Sequence, residues 1–145
     1  MNQTYLQWHG TSAVRSGNIV ICSSVLGEHP DGTVPGDPAT QFTLAFENLE
    51  RILTAAGAVL AHVVELVTFH VDPERNLDCF ASVKDRFIDS PLPAWTAVGV
   101  AQLGAGSTTS PLVEMPPPPR HPPRSLICQH FAVASLRQDN FERTR

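Results

Sequence analysis

The sequence predicts an α+β fold in which two helices lie on one face of a mixed sheet. Three observations indicate this class. Two segments with apolar residues at helical spacing are separated by strand-like runs, an apolar hairpin pattern stands near the N-terminus, and a β-branched run over residues 63–71 ends at Asp72 and Pro73. The predicted order is strand, strand, helix, strand, helix, strand, strand, which is typical of helices packed against a sheet.

The first two strands are predicted as a hairpin over residues 13–23. Gly17 and Asn18 supply the positive φ angles that a tight turn requires. Residues 19–22 are apolar at every position, so we expect a strand that is covered on both faces. Residues 1–12 are polar and interrupted by Gly, Ser and Thr, which predicts loose order. Residues 27–37 are turn formers and predict a loop.

The first helix has signals at both ends. Asp37 is a good N-cap, Pro38 suits the first helical position, and Gly57 is placed to end the helix in the left-handed conformation. Between them an apolar face is formed by six residues at helical spacing: Phe42, Ala45, Leu49, Ile52, Leu53 and Ala56.

A second helix is predicted over about residues 76–88, and its core stripe consists of Leu77, Phe80, Val83 and Phe87. His70, in the preceding strand, alternates with Phe69 and so lies on the opposite face. We interpret His70 as a structural residue with satisfied nitrogens, because it is a lone histidine whose only nearby candidate partner is Asp72. A ligand role is the alternative.

Residues 93–100 predict a strand that follows Pro93 and begins with Trp95. Val, Thr and Trp in such a run favour a buried sheet position. Residues 112–115 predict a further strand. Residues 116–123 hold six prolines, which cannot pair within a sheet and favour an extended polyproline conformation. We therefore expect a domain over residues 1–115 and a flexible Pro- and Arg-rich tail over residues 116–145.

The charge is unevenly placed along the chain. Residues 1–115 hold five basic and twelve acidic side chains, a net charge of −7, whereas residues 116–145 hold five arginines and two acidic residues, a net charge of +3. An acidic domain repels phosphate backbones, so we expect no nucleic-acid partner. No apolar run approaches the ~18 residues of a membrane span, and no secretory signal is visible. No P-loop, dinucleotide fingerprint or serine-hydrolase motif occurs.

The three cysteines, Cys22, Cys79 and Cys128, match no metal or disulfide framework. Two of them lie in apolar patterns that are typical of buried free thiols in a cytosolic protein. We therefore expect a cytoplasmic protein without a metal or cofactor.

Several short pieces of the chain follow one another in a specific order and spacing. They are Ala13-Val14-Arg15-Ser16-Gly17, Pro35-Gly36-Asp37, Phe46-Glu47-Asn48-Leu49, Ala55-Ala56-Gly57-Ala58, Val67-Thr68-Phe69-His70-Val71-Asp72-Pro73, Phe80-Ala81-Ser82-Val83-Lys84, residues 93–100 and Leu112-Val113-Glu114. Together, over about residues 12–115, they resemble the reactive-intermediate deaminase (Rid, YjgF-type) family. The resemblance implies a chorismate-mutase-like α+β fold, a homotrimer, and ligand clefts between subunits.

The best-known reaction of this family is the hydrolysis of enamine or imine intermediates, such as 2-aminoacrylate, to keto acids and ammonia. Such a site needs a cation for the substrate carboxylate and a positioned water. The resemblance implies that Glu114 is the catalytic residue that orients this water, and that Trp95, Thr96, Ser23 and Ser24 bind the substrate. Active members carry an Arg where this chain has Trp95, and one indole N–H cannot replace a bidentate guanidinium.

With this departure, and with Gly10, Ser24 and Ala97 at three further pocket positions, the chain is similar to the Arg-lacking subgroup of the family. Trp95 then has three candidate roles: the wall of a pocket for an uncharged or aromatic ligand, packing at a subunit interface, or a cation–π contact. Glu114 has an alternative reading as an ordinary carboxylate on a strand face.

Three functions follow from the resemblance. The first is an enzyme acting on a small imine, enamine or other carbonyl-type metabolite, with little activity on 2-iminopropionate. The second is a non-catalytic metabolite-binding trimer, and the third, remote one is an endoribonuclease. The acidic domain disfavours the third.

Family members continue the last strand beyond the position of Glu114, whereas this chain has four prolines, Pro116 to Pro119. Either the sheet loses part of that strand, or the tail is an altered reading frame of the parent gene. Translation of the other two frames past codon 114 distinguishes the two.

Overall fold

The computed structural model describes residues 10–17, 19–23 and 25–101. Its elements in chain order are β1 (Ala13–Ser16), β2 (Ile19–Cys22), α1 (Pro38–Ala55), a 3₁₀ turn (Leu60–His62), β3 (Glu65–His70), α2 (Pro73–Phe87) and β4 (Ala94–Gly99). The predicted α+β class is confirmed. The strand predicted over residues 112–115 and the tail over residues 116–145 lie outside the described residues.

The four described strands form two pairs. β1 and β2 are antiparallel, with Ala13 opposite Cys22, as the hairpin prediction requires. β3 and β4 are parallel, with Leu66 opposite Trp95. A parallel pair needs a crossover connection, and α2 supplies it. The crossover places α2 against the β3–β4 pair and thereby sets what Trp95 contacts.

The predicted ends of α1 are confirmed. A carboxylate oxygen of Asp37 accepts hydrogen bonds from the backbone N–H of Thr40 at 2.8 Å and from its hydroxyl at 2.7 Å. Pro38 is the first helical residue, where its missing N–H costs no hydrogen bond. Gly57 adopts a φ of +77° just beyond the helix, a conformation that favours glycine.

α2 begins earlier than the sequence predicts, at Pro73 and not near Asn76. The reason is local. Pro73 has a φ suited to the first turn, and the side-chain amide of Asn76 donates to the backbone carbonyls of Val71 and Asp72 at 3.1 and 3.2 Å. These bonds hold the preceding turn in place, with Asp72 at a φ of +57°.

The core lies between the two helices and the inner faces of β2 and β3. An aromatic chain runs through it, with ring centroids 5.1 Å apart for Phe46 and Phe87, 5.7 Å for Phe46 and Phe80, and 5.2 Å for Phe42 and Phe80. Phe42, Phe46 and Phe80 are completely buried. The prediction that the aromatic residues of α2 belong to the core, and not to a cofactor site, agrees with this packing.

Two burial predictions are wrong. In β2, only the face with Val20 and Cys22 is buried, while Ile19 and Ile21 are half-buried, because the core packs against one face of the hairpin. In β4, Trp95 and most of its neighbours are exposed, because among the described elements α2 covers only part of that strand.

Candidate functional site

Trp95 is the second residue of β4 and lies on the face that packs against α2. Its ring centroid lies 5.6 Å from that of Phe80, and the ammonium of Lys84 lies 5.2 Å from the Trp95 ring centroid. Strand alternation places Gly99 on the same face, where an added Cβ would lie 3.1 Å from Pro73 at the start of α2. Since 37% of the Trp95 surface remains exposed, the indole ring forms a flat apolar surface at the exterior of the protein, packed on Phe80. We call this surface of Trp95 the aromatic wall.

The orientation of the indole is fixed by Thr68. The Nε1–H of Trp95 donates to the Oγ1 of Thr68 at 3.0 Å. The same hydroxyl lies 2.8 Å from the Nε2 of His70 and donates to the backbone carbonyl of Thr96 at 3.4 Å. One hydroxyl group thus joins Trp95, His70 and the backbone of Thr96.

His70 is completely buried, and its Nδ1 has no hydrogen-bond partner among the described residues. Its ring packs against Phe80, with centroids 4.9 Å apart. Burial lowers the pKa of His70 from 6.5 to about 4, so the imidazole is neutral at neutral pH. The predicted structural location agrees with this burial.

Two details of the His70 prediction are wrong. One nitrogen lacks a partner in the described part of the chain, and the other is bonded to Thr68 and not to Asp72. The reason is strand alternation, which turns His70 inward beside Thr68, whereas Asp72 belongs to the turn before α2.

Lys84 follows Phe80 by one helical turn, so both side chains of α2 reach Trp95. The Lys84 side chain is only 9% exposed, and it forms an ion pair with Asp85, whose side chain is 68% exposed. Lysines are rarely this buried unless their charge is compensated. Here the compensation comes from the Asp85 carboxylate and from the face of the indole.

The described residues do not bring all of the predicted substrate-binding residues together. Thr96 follows Trp95 in β4, so its side chain points to the opposite face of the strand. Ser23 lies just after β2, where its hydroxyl and its N–H donate to the backbone carbonyls of Thr11 and Ser12. Within residues 10–17, 19–23 and 25–101 no hydrogen bond joins Ser23 to Trp95. The predicted catalytic residue Glu114 and the predicted substrate-binding Ser24 lie outside the described residues.

Two residues in contact with Trp95, Thr68 and Lys84, are not found by sequence reasoning. A partial signal exists for each, since Thr68 shares a strand face with His70, and Lys84 shares a helix stripe with Phe80. Their link to Trp95 depends on the parallel register of β3 and β4, which local sequence patterns do not specify.

The two described cysteines are free. Burial raises the pKa of the Cys22 thiol to about 12, so this thiol stays protonated at neutral pH and is a poor nucleophile. In the described segments, no three His, Cys, Asp or Glu side chains are grouped to hold a metal ion. The same segments contain no helix of sufficient length and apolarity to cross a membrane.

Comparison with known proteins identifies the family of this chain. The model of the family described as endoribonuclease L-PSP matches residues 7–115. The RutC family protein YjgH of Escherichia coli K12 is 37% identical over 100 residues, which are 68% of this chain and 76% of that protein. A Dermatophagoides farinae protein named 2-iminobutanoate/2-iminopropanoate deaminase is 33% identical over 98 residues, which are 64% of this chain and 73% of that protein.

The fold agrees with these relatives. The solved structure of protein YJGH superposes with a TM-score of 0.73 at 35% identity and covers 80% of this chain and 89% of its own. The family model spans β1 to β4 and the aromatic wall at Trp95. The chain therefore belongs to the endoribonuclease L-PSP family, that is, to the reactive-intermediate deaminase (Rid, YjgF-type) proteins.

Proposed function

We propose that this protein binds a small imine, enamine or other carbonyl-type metabolite against the face of Trp95 and hydrolyses it without the usual activity on 2-aminoacrylate. The observation that carries the proposal is the Trp95 indole itself. It is partly exposed, packed on Phe80, and held in one orientation by the Thr68 hydroxyl. A fixed aromatic face of this kind binds flat, conjugated groups, and imines and enamines are planar.

The relatives support the reaction class. The Dermatophagoides farinae relative is named for the deamination of 2-iminobutanoate and 2-iminopropanoate. Those substrates carry a carboxylate beside the imine carbon, and a guanidinium holds a carboxylate by two parallel hydrogen bonds. In this chain the Nε1–H of Trp95 already donates to Thr68, so the indole has no hydrogen-bond donor left for a ligand. We therefore infer a different substrate of the same chemical class.

The water that attacks the imine carbon needs an acceptor that orients it, and in our proposal Glu114, which the resemblance to the family implies for this role, is that acceptor. In our proposal the complete site is a cleft between subunits of a homotrimer in the cytoplasm. A non-catalytic trimer that binds metabolites in the same cleft is the alternative. An endoribonuclease function is disfavoured because residues 1–115 carry a net charge of −7.

The test is a turnover assay with imines generated in place from amino acids of increasing side-chain size, monitored by ammonia release. We expect little turnover of 2-iminopropionate and faster turnover of an imine with an aromatic or branched side chain, abolished by Glu114→Gln. Fast turnover of 2-iminopropionate would contradict the inferred change of substrate. Thermal shifts with the corresponding keto compounds, but no ammonia from any imine, would favour the non-catalytic trimer.

A further inference from the structure

Lys84 is the only lysine in the chain, and its location is unusual for a lysine on the surface of a helix. Such a side chain normally extends into water, yet that of Lys84 is only 9% exposed. Its ammonium stays 5.2 Å from the Trp95 ring centroid, within the range of a cation–π contact. The positive charge is therefore held at the aromatic wall.

The ion pair with Asp85 compensates the charge of the Lys84 ammonium only in part. Asp85 is the next residue along α2 and its side chain is 68% exposed, so its carboxylate remains hydrated. Ion pairs with one exposed partner contribute little to stability. An ammonium has three donor hydrogens, and one bond to Asp85 leaves two of them for other acceptors.

Three of the described arginines donate hydrogen bonds elsewhere in the fold. Arg15 donates to the backbone carbonyl of Ala56, Arg51 to Asn48, and Arg86 to the hydroxyl of Thr43. None of these partners is in contact with the Trp95 ring. Among the described residues, Lys84 is the cation that lies against this ring.

We propose that Lys84 is the anion-binding residue of the Trp95 site, and that the ligand carries a carboxylate which replaces Asp85 as the counter-ion of the ammonium. This inference rests on the proposed function, because it names the chemical class of the ligand at the same wall. Since the indole N–H is bonded to Thr68, the indole supplies the apolar contact and Lys84 supplies the polar one.

Lys84 does not reproduce an arginine clamp. An ammonium is a compact charge without the rigid pair of donors that a guanidinium offers, and it approaches the site from α2 and not from β4. It therefore favours anionic ligands without fixing a small imino acid in one orientation. The protein can therefore prefer ligands that carry a carboxylate and still hydrolyse 2-iminopropionate slowly, because Lys84 attracts the carboxylate without orienting the imine carbon.

The experiment compares two probes that differ only in the charged group, phenylglyoxylate and phenylglyoxylamide, by calorimetric titration of the full chain. We expect the wild-type protein to bind the carboxylate about tenfold more tightly, as one charge-assisted hydrogen bond provides. Lys84→Met keeps the length and packing of the side chain and should remove this preference, and Lys84→Arg should retain it. Asp85→Asn removes the competing counter-ion and should increase the affinity for the carboxylate alone.

Arg86→Met is the matched control, because it removes a positive charge from the same helix without a contact to Trp95. It should leave the affinities of both probes unchanged. A readout on the unaltered protein comes from lysine labelled with ¹³C at Cε, which gives one side-chain resonance because Lys84 is unique. That resonance should shift on addition of phenylglyoxylate and much less on addition of the amide.

The outcomes separate the two proposals. A carboxylate preference that survives in Lys84→Met, or a lysine resonance that does not move when phenylglyoxylate binds, overturns the role of Lys84 and leaves the proposed reaction standing. A lysine resonance that moves, in a protein that hydrolyses no imine, supports Lys84 and overturns the proposed catalysis. Failure of the wild-type protein to bind either probe overturns the assignment of Lys84.

Discussion

The indole nitrogen of Trp95 and the hydroxyl oxygen of Thr68 lie 3.0 Å apart, and this hydrogen bond joins β4 to the buried face of β3. The Thr68 hydroxyl is bonded on its other side to His70. One buried oxygen therefore fixes both a surface aromatic ring and a core imidazole. Any change at Thr68 affects the wall and the core together.

Replacement of Thr68 by Val, which has the same shape without the hydroxyl, tests this arrangement. The Trp95 and His70 nitrogens would both lose their partner, and an unsatisfied buried donor costs about 1–3 kcal/mol. We expect Thr68→Val to lower the free energy of unfolding by ~2–3 kcal/mol in urea denaturation. Thr68→Ser keeps the hydroxyl and should cost less. A loss in Thr68→Ser as large as the loss in Thr68→Val would contradict this expectation, because the Thr68 methyl group would then contribute as much to stability as the hydroxyl and its hydrogen bonds.

The buried His70 predicts a loss of stability in acid. The pKa of His70 is about 4 in the fold and 6.5 in the reference state, so the unfolded chain binds the proton more readily. The contribution to stability is complete above pH 6.5 and decreases as the pH falls from 6.5 to about 4, by at most ~3 kcal/mol. Below that range His70 is protonated in both states and adds no further dependence.

Urea denaturation at several pH values between 7.5 and 4 measures this effect. In His70→Gln the residue no longer titrates, so we expect the decrease between pH 6.5 and 4 to become much shallower, on top of a general loss of stability. An unchanged pH dependence in this variant would mean that other groups cause the decrease. A direct titration of the His70 ring by NMR provides an independent check.

Sequence patterns determine much of the scaffold. The N-cap at Asp37, the Gly57 stop and the hairpin turn are local features, in which a few neighbouring residues decide the backbone, and they are confirmed. The apolar stripe of α2 also follows from spacing, because Phe80 and Val83 face the core. The first residue of α2 is less predictable from the sequence, since it depends on a hydrogen bond from the Asn76 side chain to the backbone of the preceding turn.

The candidate site was less predictable because it depends on contacts between distant segments. Thr68, Lys84 and Trp95 meet only through the parallel register of β3 and β4 and the crossover through α2. Within the described residues, α2 covers only part of β4 and leaves Trp95 37% exposed, which is why the buried position predicted for Trp95 is wrong. Of the three roles considered for Trp95, the cation–π geometry is present with a cation of the same chain.

The central position of Phe80 predicts that its truncation lowers the free energy of unfolding more than truncation of Phe87, the other phenylalanine of α2. Phe80 is completely buried and contacts the rings of Phe42, Phe46, His70 and Trp95, whereas Phe87 is half-buried and stacks on Phe46. We expect Phe80→Ala to cost about 3–5 kcal/mol of unfolding free energy, and Phe87→Ala clearly less. Chemical denaturation measures both, and a larger loss at Phe87 would contradict the packing described.

We predict that Gly27, in the loop before α1, does not tolerate a side chain. An added Cβ would lie 2.0 Å from the backbone oxygen of Gln41, so the loop would have to move away from the helix. The side-chain amide of Asn48 opposes this movement, because it donates to the carbonyls of the two residues that flank Gly27. We expect Gly27→Ala to cost about 3 kcal/mol or more.

Gly17 offers the control for that substitution. It has a φ of +57° in the hairpin turn but open space around it, so Gly17→Ala meets only the backbone penalty of about 1–2 kcal/mol. Urea denaturation of the two variants distinguishes the steric overlap with Gln41 at position 27 from the backbone strain at position 17. A loss at Gly27 that is no larger than the loss at Gly17 would mean that the loop yields easily.

The role of Trp95 as a ligand wall predicts different results for two replacements. Trp95→Phe keeps an aromatic face over Phe80 and Lys84 and removes the donor to Thr68, so we expect binding of phenylglyoxylate to weaken only modestly. Trp95→Leu removes the flat face and the cation–π contact, so binding should weaken about tenfold or more. Calorimetric titration gives both affinities. In a Trp8→Phe variant that keeps Trp95, all tryptophan fluorescence comes from Trp95, and a change in this fluorescence reports that the ligand approaches the ring. Similar affinities in the Leu and Phe variants, with no fluorescence change, would show that the ligand does not bind against Trp95.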